Sequence, residues 1–275
     1  MTDQMVSEYL YRLECSDCRA LHRENLERLQ RAHLEKIPYN NLEIYVSGKV
    51  PSLETGDLFN KIIRQKRGGY CFELNGLFTQ LLRSLGYEVE EYFARWHFGG
   101  SDVVPVRRHR ICKVVCDGRE FISDVSIGSA GSVIPFDFTF DTVQERKVRN
   151  YRFTHHKMLG ILVETKTSDG WVPYYSFTQD PHYPQDFEYA NYYCAANPDS
   201  VFRKKFFMHR QTEKEQYYIE DLQQTGAPFN FCIRKGKDDI EKTVVQSRAH
   251  LQELLAQYFD ICCSLNELPE KSQAK

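Results

Sequence analysis

The apolar periodicity of this chain changes once, near residue 86, and that change limits the fold more than any other feature. Before it, apolar residues recur at helical spacing. Leu21, Leu26, Leu29 and Ala32 share one side of a helical wheel. Leu58, Phe59, Ile62 and Ile63 form a second stripe, and Leu74, Leu77, Phe78, Leu81, Leu82 and Leu85 a third. The third stripe stops at Gly86, a residue type that ends helices in a left-handed conformation. After it, short β-branched and aromatic runs alternate with turn dipeptides such as Asp117-Gly118 and Asp169-Gly170, a hairpin pattern. Farther on, strands are expected at Gln216–Ile219 and Asn230–Arg234, then a helix with Leu251, Leu254, Leu255 and Tyr258 on one side. The reading is an α+β chain in three parts: a helical bundle over residues 1–86, an antiparallel β-barrel over 87–210 and an α/β lid over 211–275.

Charge and cysteine content narrow the partners. A formal charge of −2 gives no basis for nucleic acid or an anionic membrane as partner. No stretch approaches the roughly 18 apolar residues of a membrane helix, and residues 1–5 lack the pattern of a secretory signal. Nine cysteines, an odd number, point to free thiols in a reducing compartment, so a cytoplasmic location is expected. Cys15-x-x-Cys18 has no second pair to complete a four-ligand zinc site, so no metal is expected. Cys262-Cys263 follow the last apolar helix and read as packing residues.

The most informative segment is Arg67-Gly68-Gly69-Tyr70-Cys71-Phe72-Glu73-Leu74-Asn75. Two glycines allow a tight turn, and the third helical stripe begins directly afterwards. Cys71 therefore falls at a helix N-terminus, where unpaired N–H groups and the helix dipole favour an anion. Such a cysteine is expected to hold more thiolate, the nucleophilic form, more so if Arg67 points inward. A plain buried cysteine is the other reading, since free cysteine is among the most buried residue types.

A reactive thiol needs a base. His22 and His33 lie on the first amphipathic helix and read as surface or boundary residues; His155, His156 and His182 lie in polar surroundings. His109 differs. A two-residue turn at Asp117-Gly118 makes Cys116 face Arg119 and Asp124 face Ile111. His109 is then a diagonal neighbour of Asp124 on one sheet face, about 7–8 Å away at the backbone. The carboxylate can accept the Nδ1–H of the imidazole, fixing its tautomer and leaving the other nitrogen for a thiol. A simple cross-strand polar pair is the alternative. Nucleophile, base and acid in the order Cys71, His109, Asp124 match a thiol acyl-transfer site.

At these residues the chain closely resembles the arylamine N-acetyltransferases. Residues 67–75 look like that family's most characteristic segment, and the separations of Cys71, His109 and Asp124 fit its triad. Ala32-His33-Leu34-Glu35-Lys36-Ile37-Pro38-Tyr39-Asn40-Asn41-Leu42 resembles its A-H-x-x-x-I-P-F-E-N-L stretch, and Asp186-Phe187, Asn191 and Ser200-Val201-Phe202 resemble its D-F…N…S-x-F pattern. The resemblance implies a three-part, cysteine-protease-like architecture. It also implies ping-pong transfer of an acetyl group from acetyl-CoA, through a Cys71 thioester, to an aromatic amine, hydrazine or N-hydroxyarylamine. The Cys71 amide is a candidate oxyanion donor. Gly128, Ser129 and Gly131 lie in a Gly-rich loop that can offer amides to the CoA pyrophosphate, or form an ordinary turn. Tyr39, Tyr70 and Ile127 are candidates for the acceptor pocket. Three positions depart from the family pattern: Asn40 for a glutamate, Ser126 for a glycine, and Ile127 for an aromatic residue. An amide synthase, or an acyltransferase with another acyl donor or a dedicated metabolic acceptor, shares the same site.

Overall fold

Amphipathic stripes bury themselves by packing on one another, and here they pack around the third. The computed structural model describes residues 1–97, 103–126, 131–146, 149–222, 229–236 and 239–269. Helices α1 (Asp3–Arg12), α2 (Arg23–Lys36), α3 (Leu42–Ser47), α4 (Thr55–Phe59) and α5 (Cys71–Leu85) precede the main sheet, with the two-residue strand β1 (Tyr39–Asn40) between α2 and α3. The stripe expected at 58–63 is α4 continued by one π-helical stretch, Asn60–Arg64. Gly86 ends α5 at φ +103°. Helix α1 was not legible as a stripe; it is held by the Thr2 hydroxyl, which accepts the Met5 N–H at 3.2 Å. Two expectations fail here. Leu21 precedes α2 and is exposed, and His33 is completely buried rather than at the surface.

The alternating region forms β2 (Glu88–Trp96), β3 (His109–Cys116), β4 (Arg119–Ser123), β5 (Phe136–Asp137), β6 (Gln144–Glu145), β7 (Asn150–His156), β8 (Gly160–Thr167) and β9 (Gly170–Phe177). They make one antiparallel sheet in the order β5-β4-β3-β2-β9-β8-β7-β6. The sheet nearly closes into a barrel. Its two edge strands are joined by the buried Gln144 side chain, which donates to the Asp137 carbonyl at 2.6 Å and accepts the Asp137 N–H at 3.0 Å. That amide does the work of a missing ladder pair, covering an otherwise open edge. Asp117 and Gly118 both have positive φ, +51° and +66°, as a two-residue hairpin turn requires. The β3–β4 register runs from Cys116↔Arg119 to Cys112↔Ser123, so Asp124 stands one residue past the last pair.

The residues between β9 and Met208 are not strands. Helices α6 (Glu188–Ala196) and α7 (Val201–Lys204) occupy the stretch read as barrel, and the next strand, β10 (Met208–Gln211), crosses residue 210. It joins β11 (Gln216–Asp221), β12 (Phe229–Arg234) and β13 (Ile240–Val244) in a second sheet ordered β1-β10-β11-β12-β13, covered by α8 (Arg248–Phe259). The first part thus lends a strand to the last. No described helix is long and apolar enough to cross a membrane.

Helix α5 meets β2 and β3 through charge as well as apolar packing. Arg110 is fully buried; its Nε donates to Glu91 Oε2 at 2.6 Å and its Nη1 to the Phe72 carbonyl at 3.2 Å, while Arg83 Nη1 reaches Glu91 Oε1 at 2.8 Å. Gly76 leaves room for this: a Cβ there would stand 2.5 Å from Arg110 Nη1. Alanine favours a helix over glycine by about 1 kcal/mol. Arg110 is pinned at both ends, so Gly76→Ala is nevertheless expected to destabilise by about 1–3 kcal/mol, read by urea unfolding. A gain in stability would mean that Arg110 moves aside freely.

Candidate active site

The turn before α5 is built for backbone contact. Gly68 has φ +63°, and a Cβ on it would lie 2.2 Å from the Pro38 carbonyl oxygen. The Gly69 carbonyl accepts the Asn40 N–H at 2.8 Å, and Asn40 Nδ2 donates to the Arg67 carbonyl at 2.9 Å. Glu73 closes the helix start by accepting the Tyr70 N–H at 3.1 Å, and Lys61 Nζ neutralises its other oxygen at 2.7 Å. Cys71 is the first residue of α5, where the sequence places it. Arg67 does not point at it; that side chain reaches the Cys262 carbonyl and Glu267 instead. Cys262 is exposed rather than a packing residue.

The expected lowering of the Cys71 thiol pKa is reversed. Burial pushes it well above its ordinary value, and the nearby Cys194 and Asp124 charges add to that. N–H groups of Arg110 and Phe72 aimed at the sulfur pull the other way without prevailing. Desolvation outweighs the helix N-terminus because Cys71 lies in an apolar cluster with Tyr70, Phe72, Phe93 and Phe187. The Cys71 sulfur donates weakly to the Arg108 carbonyl at 3.6 Å.

His109 and Asp124 meet, although not through the nitrogen expected. His109 Nε2 lies 2.5 Å from Asp124 Oδ2, which leaves Nδ1 as the free nitrogen. Both residues are buried, and the imidazole is fenced by the rings of Trp96 and Tyr175 at 5.7 and 6.2 Å between centroids. Asp124 Oδ1 takes three donors: Asn75 Nδ2 at 2.8 Å, Ser126 N–H at 2.9 Å and Ser126 Oγ at 3.0 Å. Burial works to raise the Asp124 pKa, but the His109 charge and these hydrogen bonds outweigh it, so the carboxyl titrates below its usual range. Asn75 also donates to the Arg110 carbonyl at 2.5 Å and accepts the Val125 N–H at 2.9 Å. It therefore ties α5, β3 and the segment after β4 together. No role was assigned to Asn75 from sequence. Its spacing, one helical turn after Cys71 on the same side of α5, is the signal that could have found it.

The other candidates separate. Tyr39 is partly exposed, and its hydroxyl feels the charges of Cys71, Cys194, Arg108 and Asp124, so it stands beside the site. Tyr70 does not line an open wall: it is fully buried, and its hydroxyl donates to Asn191 Oδ1, whose Nδ2 holds the Pro51 carbonyl at 2.8 Å. Ile127, Gly128 and Ser129 lie outside the described residues. Gly131 lines a cavity of about 310 Å³ with Ser132, Arg31, Arg146, Lys214, Arg234 and Lys235 among its walls. Among the described residues, no group of three or more His, Cys, Asp or Glu is placed to hold a metal ion.

Comparison with known proteins gives four findings. An N-acetyltransferase family profile matches residues 23–268. An arylamine N-acetyltransferase / N-hydroxyarylamine O-acetyltransferase of Salmonella typhimurium is 28% identical over 253 residues, covering 92% of this chain and 87% of that protein. The N-malonyltransferase FDB2 of Fusarium pseudograminearum is 27% identical over 281 residues, covering 90% and 81%. In structure, the chain matches a solved arylamine N-acetyltransferase from Salmonella typhimurium with a TM-score of 0.88 at 25% identity, over 97% of each chain.

Proposed function

The chain belongs to the arylamine N-acetyltransferase family, and from that premise we propose that it moves an acetyl group from acetyl-CoA to an aromatic amine, hydrazine or N-hydroxyarylamine through Cys71, His109 and Asp124. One observation carries the reading. Asp124 clamps His109 through Nε2 at 2.5 Å, while the Cys71 sulfur bonds the carbonyl of the residue directly before His109. The free Nδ1 is then the base on the sulfur's side, and apo catalytic contacts commonly tighten only when substrate arrives.

In this reading Nδ1 takes the thiol proton as the sulfur attacks the thioester carbon. Asp124 stabilises the imidazolium that results. The C–S bond to CoA breaks, and His109 returns its proton to the departing CoA thiolate. An arylamine then attacks the acetyl-Cys71 thioester. Its nitrogen loses a proton to His109, and Cys71 leaves as the thiol. An aromatic amine suits this half-reaction because it is unprotonated at neutral pH, unlike an alkylamine. Tyr39 stands where it can border the acceptor. The cavity beside Gly131, whose three arginines and two lysines outnumber Glu213 and Glu215, suits the CoA phosphates, and the loop with Gly128 and Ser129 adjoins it in sequence. Nine free thiols support a cytoplasmic location. The name of the Fusarium relative keeps a second acyl donor, malonyl-CoA, in view.

The test is an intact mass after incubation with acetyl-CoA alone, beside Cys71→Ser. The expected result is a gain of one acetyl group, absent in the variant and discharged by an added arylamine. No adduct and no CoA release would sink the acetyl-CoA assignment.

A further inference from the structure

We propose that Arg108 is a specificity residue that binds a carboxylate carried by one of the two substrates meeting at Cys71. The inference rests on the acyl-transfer reading and adds the class of substrate. Its first support is place: the backbone carbonyl of Arg108 accepts the Cys71 thiol at 3.6 Å. Its second is direction. The guanidinium carbon lies 5.9 Å from the centre of the Phe202 ring, and its charge is felt at the Tyr39 hydroxyl and the Cys194 thiol. Cys194 and Phe202 share one apolar cluster with Cys71, so the cation faces the nucleophile's surroundings.

The third support is that this cation lacks what three other arginines nearby have. Arg110 is paired with Glu91, Arg95 with the Pro105 carbonyl at 2.6 Å, and Arg203 with the Ile44 carbonyl at 2.6 Å. Arg108 is half-buried, and among the described residues its side chain has no hydrogen-bond or ion-pair partner. A guanidinium has five donors and is costly to desolvate without an acceptor. Its planar fork matches a carboxylate. The groups that come to the sulfur are the acyl carbon and the amine, whereas the CoA phosphates lie at the far end of the pantetheine arm. The carboxylate therefore belongs either to a dicarboxylic acyl group such as malonyl or to an aminobenzoate-type acceptor. Bond changes are the same as for acetyl: the thioester C–S bond breaks, one to Cys71 forms, and the distal carboxylate is untouched.

Both sources are tested with the full chain and with Arg108→Met and Arg108→Lys. One arm compares kcat/KM for malonyl-CoA and acetyl-CoA with 4-methylaniline as acceptor. The other compares 4-aminobenzoate and its methyl ester with acetyl-CoA as donor. In Arg108→Met one carboxylate-to-neutral ratio is expected to fall about tenfold or more, with partial recovery in Arg108→Lys; the arm that falls identifies the source. Unchanged ratios overturn the proposal. So does an equal loss on all four substrates, which would signify a structural role or recognition of CoA itself. If the unmodified chain turns over none of these pairs, the acyl-transfer reading fails by itself. The carboxylate site is then judged by whether malonate or benzoate slows alkylation of Cys71, and whether Arg108→Met abolishes that protection. Absence of protection in the unmodified chain would overturn it.

Discussion

Asp124→Asn is expected to lower the rate of Cys71 acetylation by about 10³–10⁴-fold without unfolding the chain. The donors around Asp124 decide this. Asn75 Nδ2, the Ser126 N–H and the Ser126 hydroxyl all converge on Oδ1, so an asparagine must place its carbonyl oxygen there. Its amide NH₂ is then turned to His109 Nε2, at present 2.5 Å from Oδ2. An amide there donates, so Nε2 must accept and the ring proton must sit on Nδ1. That is the nitrogen assigned to the thiol, and once protonated it cannot take the thiol proton. The effect is expected to be large because burial works against ionisation of the Cys71 thiol, so proton removal belongs to the proposed step. Stopped-flow CoA release measures the rate, and near-ultraviolet circular dichroism checks the fold. A rate within tenfold of the unmodified chain would remove Asp124 from the proposed machinery.

The local signals in the sequence carried much of this site, and the long-range ones little. The Asp117-Gly118 turn fixed the β3–β4 register because a two-residue hairpin leaves no slack, and register alone brought Asp124 to His109. The start of α5 was legible because glycines and an apolar stripe are local features. The ring nitrogen that faces Asp124 was not, since that depends on side-chain torsions set by Trp96 and Tyr175 from other strands. The thiol pKa was misjudged for a similar reason. The helix N-terminus is visible in sequence, but the apolar cover from Phe93 and Phe187 is contributed by distant segments. Helices α6 and α7 were missed because their aromatic-rich sequence, with Tyr189, Tyr192, Tyr193 and Phe202, mimics strand composition. Arg108 looked like one more basic residue; only three dimensions show Arg95, Arg110 and Arg203 paired nearby while Arg108, among the described residues, has no acceptor.

His33 was misread for the same reason, and its burial leads to the second large effect, a loss of stability in mild acid. His33 lies between the rings of Tyr9 and Phe78, with centroids 6.0 and 5.3 Å away, and neither ring nitrogen has a hydrogen-bond partner among the described residues. Burial lowers its pKa to about 3, and the Arg12 charge acts in the same sense. His209 on β10 is likewise driven to about 3 by burial, with Arg234 adding to it. Both therefore stay neutral in the folded chain, whereas an unfolded histidine takes up a proton near pH 6.5. Stability is complete above that value and falls as the pH drops from about 6.5 toward 3. Between pH 7 and 5 each histidine is expected to remove roughly 2 kcal/mol. Carboxylates such as Asp124 add acid sensitivity of their own at lower pH, so a variant must isolate the histidine. His33→Phe keeps an aromatic ring between Tyr9 and Phe78 and removes two unpaired polar atoms. At pH 7 it is expected to match the unmodified chain or exceed it by about 1 kcal/mol. At pH 5 the advantage should grow by roughly a further 2 kcal/mol, read from urea unfolding at both values. An offset that does not change with pH would mean that His33 gains its proton as readily in the folded chain as in the unfolded one, which a sealed apolar site does not allow.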